Sequence, residues 1–468
     1  MKLQDLNHKI KGVFLKSFNL NGMKNFDLLD FHDFNTNKYP FLLESSARGN
    51  NRARFSILFC EPEKIIIKNK QDDSLNFLSE LDIEWKREKV IQEPYSLRDK
   101  NFDIPFLGGW FIYLGYELAM EIEKKLSIPE SPYKIPTALA ARVKSAVIYD
   151  QLKNNLYFFS ESSESKLEEI FSDFKTITKE KKKNEKAIKK KIEVLKKGTD
   201  EQHQKDIKTC IDYIFQGEIF QANLSRLWEF NLDSDISNSL IYKELRRINP
   251  SPFAGLIQFD EGCIISSSPE RLVSVKNKVL ETRPIAGTRP RGSSGLTDVE
   301  LIKELIDSEK ERAEHLMLVD LERNDISRVC KSGTVEVDEM MVVESYSHVH
   351  HIVSNVKGKL KDNVNPGEII SAVFPGGTIT GCPKVRCMEI LGELEKIGRG
   401  PYTGSFGYIT HSGDLDLNII IRSMVREEKK ISLRAGGGIV ADSIPEKETL
   451  ETEAKVNAML KALQNINN

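Results

Sequence analysis

The sequence predicts an α+β protein, on three observations. Strand-like runs come in groups separated by helices, without the strict alternation that a parallel sheet demands. A hairpin is written into SAVIYD and NNLYFFS (145–160), where β-branched and aromatic residues flank Asn154-Asn155. Two long helical stretches, 308–326 and 443–463, follow in the second half. With 468 residues, 40% of them hydrophobic, the chain can bury a large core in two or more domains.

In order, residues 1–40 are polar with scattered Phe, Leu and Asn, and read as strands and loops. Phe41–Pro62 reads as two short strands around a basic loop containing Asn and Gly. Phe106–Leu118 is aromatic and glycine-rich and reads as a buried strand pair. From Glu161 to Lys197 the composition shifts to Lys, Glu and Ser. Glutamates between the lysines and few aromatics favour a solvated helix and linker over a nucleic-acid surface. The boundary falls there, between an N-terminal region (1–185) and a second region (200–465).

The second region opens with a helix near Glu201–Gln216, whose Ile207, Ile211 and Ile214 share a face. Gly217–Phe230 is a turn into a strand. Asn249–Phe259 and Gly262–Val275 read as adjacent strands, the second carrying Ser268-Pro269-Glu270. Glu281–Gly292, crowded with Arg, Pro and Gly, reads as a loop, and no internal repeat is visible.

Charged residues make up 29% of the chain and nearly cancel to a net −2, so no global field draws nucleic acid or an anionic membrane. The first twenty residues lack a continuous apolar core and a small-residue cleavage site, and no uncharged apolar run is long enough to span a bilayer. Six scattered cysteines without a C-x-x-C pair argue against disulfide frameworks and zinc clusters, which makes a cytoplasmic location the expectation.

The stretch Phe374–Glu389, FPGGTITGCPKVRCME, reads as a glycine-rich loop feeding an amphipathic helix with Val385, Met388, Leu391 and Leu394 on one face. Pro383 suits the helix start. Free N–H groups and the dipole at such a start favour an anion. A nucleotide P-loop is excluded by spacing: Cys382-Pro383 stand where Lys-[Ser/Thr] must sit, and Lys384 comes too late. A carboxylate site or a structural turn remains.

Glu311 and Glu314 are neighbours on one helix face, as are Glu448, Glu451 and Lys455 on another. Either pair alone is an ordinary surface feature. Together, two E-x-x-E pairs can converge on one hard cation, and Mg²⁺ suits carboxylates, waters and a ligand anion best. In SHVHHIVSNV, His348 and His350 share a strand face and His351 points the other way, and no H-E-x-x-H pattern or nearby thiolate supports zinc. His351 is either a polar contact or a satisfied core histidine. Asp320 and Arg323-Asn324-Asp325 read as a helix-end hydrogen-bond network, and no G-x-S-x-G elbow occurs.

The motifs PIAGTRPRG, ERAEHLMLVDLERNDISRV, FPGGTITGCPKVRCMEI, PYTGSFGYI, DLNIIIRS, AGGGIVADS and ETLETEAK, in this order, resemble the chorismate-utilising enzymes. These include the synthase components of anthranilate and aminodeoxychorismate formation, with isochorismate and salicylate synthases as cousins. The resemblance is dense over residues 200–463 and looser before them. It implies an antiparallel β-sandwich flanked by helices, with the two sequence halves intertwined. It further implies Glu314 and Glu451 as Mg²⁺ ligands, with Glu311 and Glu448 holding the metal's waters. Tyr402, Arg422, Lys455 and the N–H groups of Gly436, Gly437 and Gly438 would contact chorismate carboxylates. Thr288 and Thr378 would line the site, His351 would face the ring, and Glu270 would be the general acid for the departing 4-hydroxyl. That role needs a raised pKa, from burial or a neighbouring carboxylate.

Water-using cousins have a lysine base where this chain has Gln221, and a neutral amide cannot deprotonate water, which leaves amination by ammonia. FPGGTITGCPK and VESYSHVHHIVSNV look like the aminodeoxychorismate synthase component of p-aminobenzoate and folate biosynthesis. Anthranilate synthases more usually show P-A-G-T-[LV]-S-G. Against this, Ala286 in PIAGT is the anthranilate synthase residue, where well-known aminodeoxychorismate synthases carry a lysine proposed to add at C2; Lys384 is a weak substitute. NPSPFAG lacks the Tyr-Met pair of tryptophan-inhibited anthranilate synthases, although Leu42–Ser45 (LLES) is present. No glutaminase triad is recognisable, so ammonia is expected from a separate glutamine amidotransferase subunit. No lyase domain follows, so p-aminobenzoate is expected to need a separate enzyme.

Overall fold

The structure is a computed structural model that describes residues 6–466 apart from 11–12, 22, 24–25, 48–53, 71, 73–74, 93–102, 181–192, 233–235, 292–294 and 346–348. Two large antiparallel sheets organise it, one of 13 strands and one of 10 among the described residues, as the α+β reading expects. Both sheets cross the proposed sequence boundary. In the larger sheet Phe41–Glu44 pairs with Phe253–Gln258, and Cys263–Ser268 pairs with Ser423–Glu427. In the smaller, Gly109–Leu114 pairs with Ser405–Thr410. The two halves are therefore one interleaved body, and the division at 185–200 is one of sequence.

Aromatic and branched side chains alternate into the space between the sheets. Phe41, Phe59, Phe111, Ile257 and Phe406 share one buried cluster there. The predicted hairpin forms as Ser145–Asp150 against Asn155–Ser160, with Asn154 in the left-handed conformation (φ 51°) that this turn requires. The helix Asp200–Phe215 buries Ile207 completely, with Ile211 and Ile214 packed beside it.

Three expectations are corrected. The charged stretch begins with a helix, Glu164–Glu180, that is not merely solvated: Leu167, Ile170, Phe171, Phe174 and Ile177 are buried on one side. Its Lys-rich continuation, 181–192, lies outside the described residues. The Arg/Pro/Gly segment is not a loop; Val279–Thr282 and Ile285–Pro290 are strands that pair with Val349–Lys359. Cross-strand pairing overrides composition there, and a register shift between Ala286 and Thr288 takes up the irregularity. Finally, Gly262–Val275 is two strands. Cys263–Ser268 belongs to the larger sheet and Arg271–Lys276 to the smaller, and the chain crosses between them at Pro269-Glu270. Proline, which cannot donate to a ladder, ends the first strand. Glu270 thus stands at a corner between the sheets.

Candidate active site

The site gathers around one glycine strand, Lys430–Ile439. Its inner edge pairs with Gln221–Asn231, whereas pairing with Ser423–Glu427 on the other edge stops at Leu433. The Gly436 carbonyl accepts from Lys455 Nζ (2.8 Å). By strand alternation the N–H groups of Gly436 and Gly438 face that same edge, past the last strand partner, while Gly437 turns its N–H to the inner strand. The absence of side chains lets the walls close in. A Cβ on Gly437 would lie 3.5 Å from Glu448 Oε2 and 3.8 Å from Glu451 Oε1. One on Gly438 would lie 3.0 Å from Glu314 Oε1 and overlap the Gln221 amide. Adjacent residues of one strand are therefore bordered by both glutamate pairs.

Each pair comes from a helix with a defined start. Ser308 caps Glu309–Ser327 by accepting from the Glu311 N–H, and Pro445 opens Pro445–Asn465. The four carboxylates have protein partners. Gln221 Nε2 donates to Glu314 Oε1 (2.7 Å), and Ser443 Oγ donates to Glu448 Oε1 (2.8 Å). Lys455 Nζ pairs with Glu451 (2.7 Å), and Arg289 with Glu311 (3.3 Å). Among the described residues no three of His, Cys, Asp or Glu stand close enough together to hold a metal. The donors are nonetheless all carboxylate oxygens, the chemistry a hard divalent cation takes, and Gln221 and Lys455 occupy the lone pairs such an ion would claim.

The other walls carry the residues expected to contact an anion. Arg422 sits with φ 52°, a strained conformation for a side-chain-bearing residue, and no carboxylate among the described residues reaches ion-pair distance of it. Burial lowers its pKa against the opposing pull of Tyr402 and Glu451. The Tyr402 hydroxyl lies 2.9 Å from where a Gly436 Cβ would stand. His351 is buried opposite Thr288, and burial together with Arg422 pushes its pKa down to about 4, so the ring is neutral. Only the strand position of Thr288 is described, not its side chain. His350 points away, to Asp298 (2.9 Å) and Ser345, and His348 lies outside the described residues.

Glu270 is 6% exposed, and its Oε1 has no hydrogen-bond partner. Burial, with Glu322 adding repulsion, raises its pKa to about 7; the Thr378 hydroxyl, the Ile285 amide and Lys455 pull the other way. Thr378 is the residue through which the glycine loop reaches this corner. The helix start at Lys384 does not: its ammonium pairs with Asp325, which also binds Arg328 (2.9 Å). Asp325, with Arg328 and the neighbouring Arg323–Asp320 pair, forms a helix-end network, and Lys384 joins it from the glycine loop.

Residues not singled out from the sequence support this geometry. Glu395 accepts from the Ser225 N–H (2.9 Å) and binds Arg399 and Arg434, and Arg399 donates to the Asn223 carbonyl (2.6 Å). This buried cluster fixes the strand beneath the glycines. Glu322, discussed below, was also missed; its signal is the eleven-residue spacing from Glu311, about three helical turns on the same face. A cavity of about 670 Å³ lies elsewhere, against Leu43–Ser45, Phe253 and Tyr408.

The chain belongs to the chorismate binding enzyme family, whose model matches residues 39–461. It is 42% identical to an anthranilate synthase component I-like protein of Synechocystis, over 78% of this chain and 74% of that one. It is 39% identical to aminodeoxychorismate synthase component 1 of Bacillus subtilis, over 91% and 92%. Its fold resembles the crystal structure of anthranilate synthase component I from Streptococcus pneumoniae, with a TM-score of 0.74 and 31% identity over 88% and 93% of the chains.

Proposed function

We propose that this chain aminates chorismate to 4-amino-4-deoxychorismate, in cytoplasmic p-aminobenzoate and folate biosynthesis. Ammonia replaces the 4-hydroxyl, which leaves as water, and a separate glutamine amidotransferase subunit supplies it. Arg422, Tyr402 and the N–H groups of Gly436 and Gly438 hold the substrate carboxylates; the Gly437 N–H, turned to the inner strand, is not among them, and the half-buried Arg422 has no carboxylate at ion-pair distance among the described residues. Glu270, protonated up to about neutral pH, gives its proton to the departing hydroxyl. Gln221 offers no base to activate water, so the nucleophile is ammonia. Glu314 and Glu451 would hold Mg²⁺ directly and Glu311 and Glu448 its waters; bound there, Mg²⁺ supplies electron withdrawal at the ring carboxylate.

The observation that carries the 4-amino reading is the glycine loop. A Cβ on Gly376 would lie 3.0 Å from Ile419 Cδ1 and 3.2 Å from Leu272 Cδ1, so the loop is closed down around glycine where anthranilate synthases usually show alanine. The runner-up, anthranilate formation, is favoured by a different observation. Ala286 is buried where a lysine nucleophile would be needed, and Lys384 is committed to Asp325. Chromatography after incubation with chorismate, Mg²⁺ and ammonium separates the two. The 4-amino product is expected, becoming p-aminobenzoate only with added lyase; anthranilate fluorescence with stoichiometric pyruvate would promote the runner-up. Glutamine in place of ammonium is expected to give no turnover until an amidotransferase subunit is added.

A further inference from the structure

The strand that pairs with the glycines carries two unmet acceptors. Gln221 and Asn223 stand two apart in Gln221–Asn231 and so share a face, the one on which Gly438 and Gly436 would carry side chains. Both amides are oriented by what their NH₂ groups do. Gln221 Nε2 donates to Glu314 Oε1 (2.7 Å), and Asn223 Nδ2 donates to the Thr378 carbonyl (3.4 Å). Turning either amide over would set oxygen against oxygen. Gln221 Oε1 and Asn223 Oδ1 are then both buried without a hydrogen-bond partner among the described residues. A buried acceptor is costly to leave unmet, which points to a ligand that donates.

Asn223 Oδ1 has a defined place. It lies 2.7 Å from where a Cβ on Gly436 would stand, and the Tyr402 hydroxyl lies 2.9 Å from that same point. The two groups border one small space, which any residue larger than glycine at 436 would fill. The backbone beneath is fixed, since Arg399 Nη2 donates to the Asn223 carbonyl (2.6 Å). Thr378 links this place to the acid: its carbonyl takes the Asn223 amide, and its hydroxyl faces Glu270.

Chorismate is poorly matched to this acceptor. Its carboxylates and enol ether offer only acceptors, and its one donor, the 4-hydroxyl, is assigned to Glu270. Ammonia carries three N–H donors. An acceptor holds it by one of them and leaves the nitrogen lone pair free, whereas a donor would tie that lone pair up. We propose that Asn223 Oδ1 is the acceptor that holds ammonia beside the bound ring. This presupposes ammonia as the nucleophile, as proposed above, whichever ring carbon is attacked.

The test is the steady-state KM for ammonia, varied as an ammonium salt at fixed pH with saturating chorismate and Mg²⁺. Asn223→Leu keeps the bulk and removes the acceptor, Asn223→Asp keeps the acceptor, and both remove the donor to Thr378. Asn223→Leu is expected to raise the ammonia KM about tenfold, with the chorismate KM changed less than about twofold. Asn223→Asp is expected to keep the ammonia KM within about threefold of wild type or to lower it. Asn223→Ala supplies the same readout should Asn223→Leu not fold. Equal losses in the Leu and Asp variants would mean that the side chain only holds Thr378. A rise confined to the chorismate KM would mean that it holds the 4-hydroxyl. Either overturns the proposal, as does an ammonia KM unmoved in every variant. If the wild type itself forms no amino product with ammonium, the amination reading fails first and the proposal with it.

Discussion

At one end of the cleft, Glu311, Glu314, Glu448 and Glu451 are each held by a protein donor or cation. At the other, Glu270 and Glu322 are each buried, with the Thr378 hydroxyl facing the first and the Thr282 hydroxyl the second. The same functional group thus meets donors at one end and burial at the other, where the Glu270 pKa rises to about 7. Environment, not residue type, assigns the roles: partners fix anions, and burial without partners retains a proton.

The comparison breaks most sharply at the acidic end. Glu314→Gln or Glu451→Gln is expected to reduce chorismate turnover at least about 100-fold while the protein stays folded, since each removes a charged ligand oxygen. Full activity after EDTA treatment would discard the metal assignment. At the buried end, Glu270→Gln cannot donate the proton and is expected to lose about 10²–10⁴-fold in kcat, with a smaller change in KM. A fall confined to KM would make Glu270 a binding group only. The smallest effect needs no mutation. Because the Glu270 pKa is raised to about 7, wild-type activity is expected to be full below that value and to fall as pH rises through it, in steady-state rates at saturating chorismate and a constant concentration of unprotonated ammonia. A limb near the ordinary carboxylate range would show the corner to be wet.

The acidic end was legible in the sequence because its logic is local. Two glutamates three apart on a helix announce a face, and two such helices announce a pair of faces. The glycine run at 436–438 likewise marks a backbone that neighbours approach closely. The buried corner was not legible beyond Glu270 itself. Glu322 becomes its neighbour only because the chain changes sheets at Pro269 and the Gly376-Gly377 loop folds under the Glu309–Ser327 helix. The strands at 279–290 were missed for a related reason: their partner, Val349–Lys359, is some seventy residues away and supplies a pairing energy that local composition does not record.

The interleaving of the halves has a consequence for how the chain comes into being. On the ribosome, Phe41–Glu44 waits for Phe253–Gln258, and Gly109–Leu114 waits for Ser405–Thr410. Neither sheet closes until strands beyond residue 400 have emerged. Until then, edges rich in Phe, Ile and Val stand open, and such edges recruit other chains. Dominance by distant pairings slows folding, because loop closure must come before the contacts that reward it. A severed C-terminal half would carry the candidate site residues without Phe41–Glu44 and Gly109–Leu114, the strands that complete its sheets.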